Sequence, residues 1–165
     1  MKALFITLNE LKRKSIIDGN LDDDKLIQFV EVAQDTYIQT QLGTKLYESL
    51  QNGVINNNLS TVNATLINSY LKPMLIWYSQ AEYIPYSAFQ ISNGGIYKHR
   101  SENADTASLE EIYKLADRAK TTAEFYTQRF LDFIDQNSSD YPLYTANQDG
   151  GMYPERDQNF TGWVL

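Results

Sequence analysis

The chain has 165 residues, the span of one domain, and its 42% apolar and 13% aromatic content is too much core material for a wholly disordered protein. It has no cysteine, which excludes disulfides, a thiol nucleophile and cysteine-held zinc or iron–sulfur centres. A single histidine excludes any site that needs two imidazoles from one chain, and a net charge of −7 argues against a general nucleic-acid coat.

No stretch approaches the roughly 18 consecutive apolar residues of a membrane span. The apolar run Ala3-Leu4-Phe5-Ile6 is cut off by Thr7, Asn9 and Glu10, too early for an export signal, so the expectation is a protein kept in a reducing compartment. Residues 3–6 read as extended chain. Thr7-x-x-Glu10 is a capping box, and it opens a short helix over residues 8–14. The turn cluster Asp18-Gly19-Asn20 follows.

Asp22-Asp23-Asp24 suits a helix start, where carboxylates face free amide groups and the positive end of the helix dipole. Leu26, Val30, Ala33 and Tyr37 keep a 3.6-residue period that runs to about Thr40. Gly43 breaks it. Thr44 can cap a further short helix with Leu46, Tyr47 and Leu50 on its apolar face and Gly53 as its stop. Asn56-Asn57-Asn58 is a loop. From Ser60 or Thr61 comes the longest apolar helix, with Leu66, Tyr70, Pro73, Met74, Trp77, Ala81 and Ile84 in one stripe. Pro73 should kink this helix, and Pro85 should end it or kink it again.

Residues 89–107 change character. Two short extended runs flank Asn93-Gly94-Gly95, which predicts a small hairpin or a projecting loop. Ser108-x-x-Glu111 is a second capping box. It opens a long helix with the stripe Leu109, Ile112, Ala116, Ala119, Ala123, Tyr126, Phe130 and Phe133. The alanines in the middle allow another helix to approach closely. Residues 137–165 hold Pro142, Pro154, Gly150, Gly151 and Gly162 without a period, yet carry aromatics throughout. They read as an extended arm that docks either on a partner or along its own domain. The fold class is therefore mainly all-α: a small helical bundle over residues 1–136, with a loop insertion at 89–107 and an aromatic arm at 137–165.

Chemistry finds little purchase. The alternation Asp18-x-Asn20-x-Asp22-x-Asp24 places Asp23 and Phe29 where a calcium loop needs glycine and glutamate, so helix capping explains it better. The pairs Asp132/Asp135 and Glu110/Glu111 fall on the solvated side of a helix. His99 has no second ligand or nucleophile motif beside it, and Asn93-Gly94-Gly95 lacks the Lys-Ser/Thr of a phosphate loop. No enzyme, cofactor or metal is expected. Tyr97-Lys98-His99-Arg100 is a basic stretch beside an aromatic, fit to touch phosphate or an acidic surface.

The order of features goes further than any single motif. Leu8-x-x-Leu11-Lys12, Ile17-Asp18, Leu21-Asp22-Asp23-Asp24-x-Leu26-Ile27, Ala33-x-x-x-Tyr37-Ile38 and Leu42-Gly43 resemble the opening of tailed-phage head–tail connector proteins, also called adaptor or head-completion proteins. The likeness holds in recognisable residues over 4–43 and in order of elements to about 136. The insertion at 89–107, the tyrosine-rich composition and the arm look like the neck ring proteins of crAss-like phages. The resemblance implies a structural virion protein in the phage neck, made in the bacterial host cytoplasm. Its expected form is a homo-oligomeric, dodecameric ring between the portal protein and the tail or further neck ring proteins. The ring would extend the channel through which double-stranded DNA passes without sequence-specific binding, and no membrane is involved. The partner-interface residues expected on this basis are Tyr97, Lys98, His99 and Arg100 in the loop, and Tyr144, Tyr153, Phe160 and Trp163 in the arm. The residues alone leave a second reading open: a non-enzymatic helical adaptor or regulatory protein that binds a partner through the same arm.

Overall fold

A computed structural model of the chain describes residues 2–17, 19–93, 95–98, 107–146 and 151–155, with the backbone alone at 90–92 and 97–98. Mainly helical, the fold is a small bundle with a two-stranded hairpin, as the sequence pattern implies. Helix α1 is Leu8–Lys14, α2 is Asp23–Ala33, α3 is Thr40–Ile55, α4 is Thr61–Leu66, α5 is Lys72–Ser87 and α6 is Leu109–Gln136. Two π-helical turns, Gln34–Gln39 and Ile67–Leu71, join α2 to α3 and α4 to α5, so four rods make up the described bundle.

The caps form where their residues predict. Thr7 accepts from the Glu10 amide at 3.1 Å, and Asp22 accepts from the Asp24 amide at 3.1 Å. At α6 the box is reciprocal: Ser108 Oγ takes the Glu111 amide while the Glu111 carboxylate takes the Ser108 amide. At α1 only half the box forms, because Glu10 turns to Lys14 and Lys72, at 2.8 and 2.9 Å. Asp23 pairs with Lys12 at 2.6 Å, so two of the three acids at 22–24 have structural partners.

The π turns change the register of both long rods. Each inserts one extra residue and rotates the following stripe by about one position. The predicted stripe Leu26, Val30, Ala33, Tyr37 becomes Leu26, Val30, Ala33, Gln34, Ile38 and Leu42, all fully buried, while Tyr37 is left half-buried. In the next rod Leu71 takes the core place expected of Tyr70. The second π turn lies just ahead of Pro73, where the proline cannot donate to the preceding turn, and the Lys72 amide bonds back five residues to Ile67. The expected kink is thus a widened turn. Pro85 does not end α5, which runs to Ser87.

Two glycines in α3 behave differently. Gly43 has φ +71° and ψ 163°, a break in the helix as expected. Gly53 is not the stop it was expected to be; it lies inside the helix because Leu59 packs on it, and a Cβ there would fall 2.6 Å from Leu59 Cδ2. The helix stops at Ile55, with Asn57 at φ 51° taking the left-handed position. The Asn58 and Asn57 amides bond back to the Gly53 and Val54 carbonyls, the paired arrangement of a Schellman cap.

The core lies between α5 and the other rods. Ala116 and Ala119 of α6 pack with Ile84 and Trp77 of α5, so the close approach inferred from the alanines is made to α5. Further along α6, Phe130 and Ile134 are fully buried. Thr127, absent from the expected stripe, is buried because its hydroxyl bonds Tyr78 at 3.1 Å and the Ala123 carbonyl at 3.0 Å. Strands β1 (Phe89–Ser92) and β2 (Gly95–Lys98) form the expected hairpin, antiparallel, with Ser92 opposite Gly95.

Candidate interaction surfaces

The two ends of the described chain are both strapped onto the helices. Residues 3–6 run across the π turn and α3. The Phe5 amide donates to Gln34 Oε1 at 2.8 Å, and Gln34 Nε2 donates to the Ala3 carbonyl at 2.9 Å. Gln51 repeats the pattern at Ala3, accepting from its amide at 3.3 Å and donating to its carbonyl at 3.0 Å. Two buried glutamines thus take the place of a neighbouring strand. Both also donate to the Tyr47 hydroxyl, at 3.1 and 2.8 Å, and that hydroxyl donates to Asp35. Burial, reinforced by the Asp35 charge, pushes the Tyr47 phenol up to about 12. A third buried glutamine, Gln80, accepts the Ile16 amide at 3.2 Å and holds the loop after α1.

The arm begins by packing on its own domain. Tyr141 and Tyr144 are each 3% exposed, seated edge-on against Phe133 and Phe130. Tyr141 also donates to the Val62 carbonyl at 3.1 Å. Tyr144 was expected as an anchor for a neighbouring molecule; its ring instead belongs to this chain's own core. Residues 151–155 then return to the Gly43 break. The Thr44 amide donates to the Met152 carbonyl at 3.0 Å, Thr44 Oγ1 accepts the Met152 amide at 2.8 Å, and the Glu155 amide donates to the Thr40 carbonyl at 2.9 Å. Gly43 is required twice over: its backbone angles suit glycine alone, and a Cβ would fall 2.8 Å from Pro154 Cδ. Thr44, expected as a helix cap, serves as the clip for the arm.

The other expected interface residues fall as follows. Tyr97 and Lys98 lie on β2, whose neighbour Ile96 is 68% exposed. Tyr153 projects from the clip at 64% exposure, beside a well-exposed Met152. His99, Arg100, Phe160 and Trp163 lie outside the described residues. The structure brings Tyr144 and Tyr153 onto one arm but seats only the first. Additional exposed apolar side chains, which the sequence reading did not single out, include Tyr113, Leu115 and Phe125 on α6 and Tyr86 at the end of α5. Tyr86 sits 5.2 Å from Phe29, ring centre to ring centre.

A groove of about 640 Å³ lies between the first π turn, α5 and α6. Its walls carry Tyr37, Gln41, Lys120, Glu124 and Gln128, and Glu155 of the clipped arm stands at its edge. Tyr37 stacks flat on Tyr78 at 3.9 Å and donates to Glu82 at 2.6 Å. Burial, then the Glu82 carboxylate, hold the Tyr37 phenol well above its usual range. Gln41 is 4% exposed, and its amide oxygen accepts no hydrogen bond among the described residues. The sequence signal for these positions was a glutamine at or beside the apolar stripe.

Among the described residues no group of three or more acidic or histidine side chains is placed to hold a metal ion. No described helix is long and apolar enough to cross a membrane. No curated protein and no solved structure matches the chain. Residues 38–152 match the model of DUF6712, a family of unknown function; the match covers more than half of the chain, which belongs to that family.

Proposed function

We propose that the protein is a structural virion component that forms a ring in the neck of a tailed phage, joining the portal to the tail and extending the DNA channel. The observation that carries this reading is the ordered series over residues 4–43. A short helix ends in a lysine-rich turn, an acidic cap opens an amphipathic rod, and Gly43 ends it. Two properties of the fold support it. The helical body leaves apolar side chains uncovered at separate places, Ile96 on the hairpin and Phe125 on α6, as head-to-tail contacts between copies require. The net charge of −7 suits a channel wall along which DNA moves without sticking. In this reading the hairpin, with Tyr97, Lys98, His99 and Arg100, and the exposed Tyr153 make the contacts to neighbouring subunits, the portal and the next ring.

Cryo-electron microscopy of purified particles of the encoding phage, with mass spectrometry of their proteins, tests the proposal. A helical ring at the portal–tail junction into which this chain traces is the expected result. Absence of the chain from the particle would overturn it.

A further inference from the structure

The outer sides of α2 and α6 carry complementary stripes. On α6, Leu115, Arg118, Thr122, Phe125 and Arg129 recur at alternating steps of three and four residues, so they share one face of the helix. Leu115 and Phe125 are 46% and 60% exposed, and both arginines are exposed beside them. On the rod that α2 begins, Asp24, Ile27, Glu31 and Asp35 share a face in the same way, and all four are exposed. One stripe is basic and apolar, the other acidic around an isoleucine. Among the described residues Arg118, Asp24 and Glu31 enter no ion pair, while Asp35 takes Lys2 and Arg129 lies over the Tyr126 ring at 5.7 Å. Asp132, the acid at the end of the basic stripe, is occupied by Gln128 at 2.9 Å.

The two stripes cannot meet within one chain. Helix α5 packs against both α2 and α6 and lies between them. The basic stripe is about 140° round α6 from Lys120, Glu124 and Gln128, which line the groove on the inner side. The acidic stripe lies opposite Leu26, Val30 and Ala33, which are buried. The stripes therefore look outward from opposite flanks. They also run the same way. Phe29 packs on Tyr86 and Tyr37 on Tyr78, so α2 is antiparallel to α5. Ile84 packs with Ile112, Tyr78 bonds Thr127 and Tyr70 stacks on Phe133, so α6 is antiparallel to α5 as well. Copies related by a small rotation about an axis along the rods would thus bring α6 of one beside α2 of the next in parallel. Arg118 and Arg129 are eleven residues apart, as are Asp24 and Asp35. Each interval spans roughly 16 Å, so both pairs close together and Phe125 falls beside Ile27 and Glu31.

We propose that the basic, apolar face of α6 docks on the acidic face of α2 of a second copy of this chain. Because each copy offers both faces on opposite flanks, the contact is heterologous and propagates from copy to copy. The proposal rests on the ring reading in one respect, that it names the contact between its subunits, and the two can fail separately. A ring in the particle with other faces in contact overturns the docking alone. Absence of the chain from the particle overturns the neck reading alone.

Charge exchange between two variants of the full chain, followed by sedimentation velocity over a dilution series at low salt, tests it. Arg118→Glu with Arg129→Glu leaves both flanks acidic; Asp24→Lys with Glu31→Lys makes both basic. The unsubstituted chain should associate as its concentration rises, and less so in high salt, which screens exposed charges. Each variant alone should associate at least about tenfold more weakly, because like charges then face each other. An equal mixture of the two should recover association by alternating the variants, which also shows that both are folded. Three results would overturn the proposal: an unsubstituted chain that stays monomeric throughout, a variant that associates as well as the unsubstituted chain, and a mixture no better than its parts. The second covers a symmetric contact of α6 with α6, which the α2 substitutions would leave intact.

Discussion

The two straps are built from the same material and held by opposite means. Residues 3–6 insert Phe5 and Ile6 into the core, and their backbone is held by amides of buried glutamines. Residues 151–155 keep Met152 and Tyr153 in solvent, and two backbone–backbone hydrogen bonds and one to the Thr44 hydroxyl hold them at the Gly43 break. A strap that buries large side chains is part of the folding unit, because releasing it exposes apolar area and orphans buried polar groups. A strap held by exposed hydrogen bonds is a latch, since water replaces those bonds when it opens.

The comparison breaks first at the amino-terminal strap. Phe5→Ala should lower the unfolding free energy by about 3–5 kcal/mol, read from the denaturant midpoint, because a fully seated ring leaves a cavity. Gln34→Leu should cost about 1–3 kcal/mol in the same assay, since it orphans the buried Phe5 amide and leaves the Ala3 carbonyl to Gln51 alone.

At the latch, Gly43→Ala places a side chain at angles reserved for glycine and pushes on Pro154, a strain of about 1–3 kcal/mol. Opening the latch relieves part of that strain. The expected signature is therefore faster proteolysis near residues 151–155 together with a modest loss of global stability. Equal protease resistance in Gly43→Ala and the unsubstituted chain would refute the latch.

Alkali separates the straps without a mutation at either. Tyr47 keeps its proton in the fold up to about 12, against an ordinary value of 10. Its contribution is fully present below the ordinary value and is lost as the pH rises through the folded one. Stability should therefore decline between these values, and Tyr47→Phe should flatten the decline. Amide exchange at residues 3–5 should rise with it, while exchange at 151–155, corrected for its intrinsic rate, should not. The smallest effect is Thr44→Val, which removes one exposed hydrogen bond and should cost about 0.5–1 kcal/mol. A loss as large as that of Gln34→Leu would mean that the arm is not a latch.

Local signals were read correctly wherever the determinant is local. Thr7, Asp22, Ser60 and Ser108 cap helices because a side-chain oxygen needs only the amides two or three residues ahead. The β1–β2 hairpin and the α6 stripe rest on equally short-range rules. The candidate site was less legible. Tyr144 carries the same residue type as Tyr153, yet one is core and the other exposed, and nothing in their immediate sequence separates them. Gly53 looks like a helix stop until Leu59 is placed against it.

The sequence by itself determined the helical class, the principal caps, the break at Gly43 and the hairpin, because each depends on backbone geometry within a few residues. Only the tertiary structure decided the register beyond each π turn, the burial of four glutamines and the side on which the arm lies. The physical reason is distance along the chain. The backbone segments that Gln34, Gln51 and Gln80 hold, at residues 3–5 and at Ile16, are 29 to 64 residues away, and the Thr44–Met152 clip spans 108. A polar side chain is worth burying only once such a partner arrives, and no local pattern announces which segment that will be.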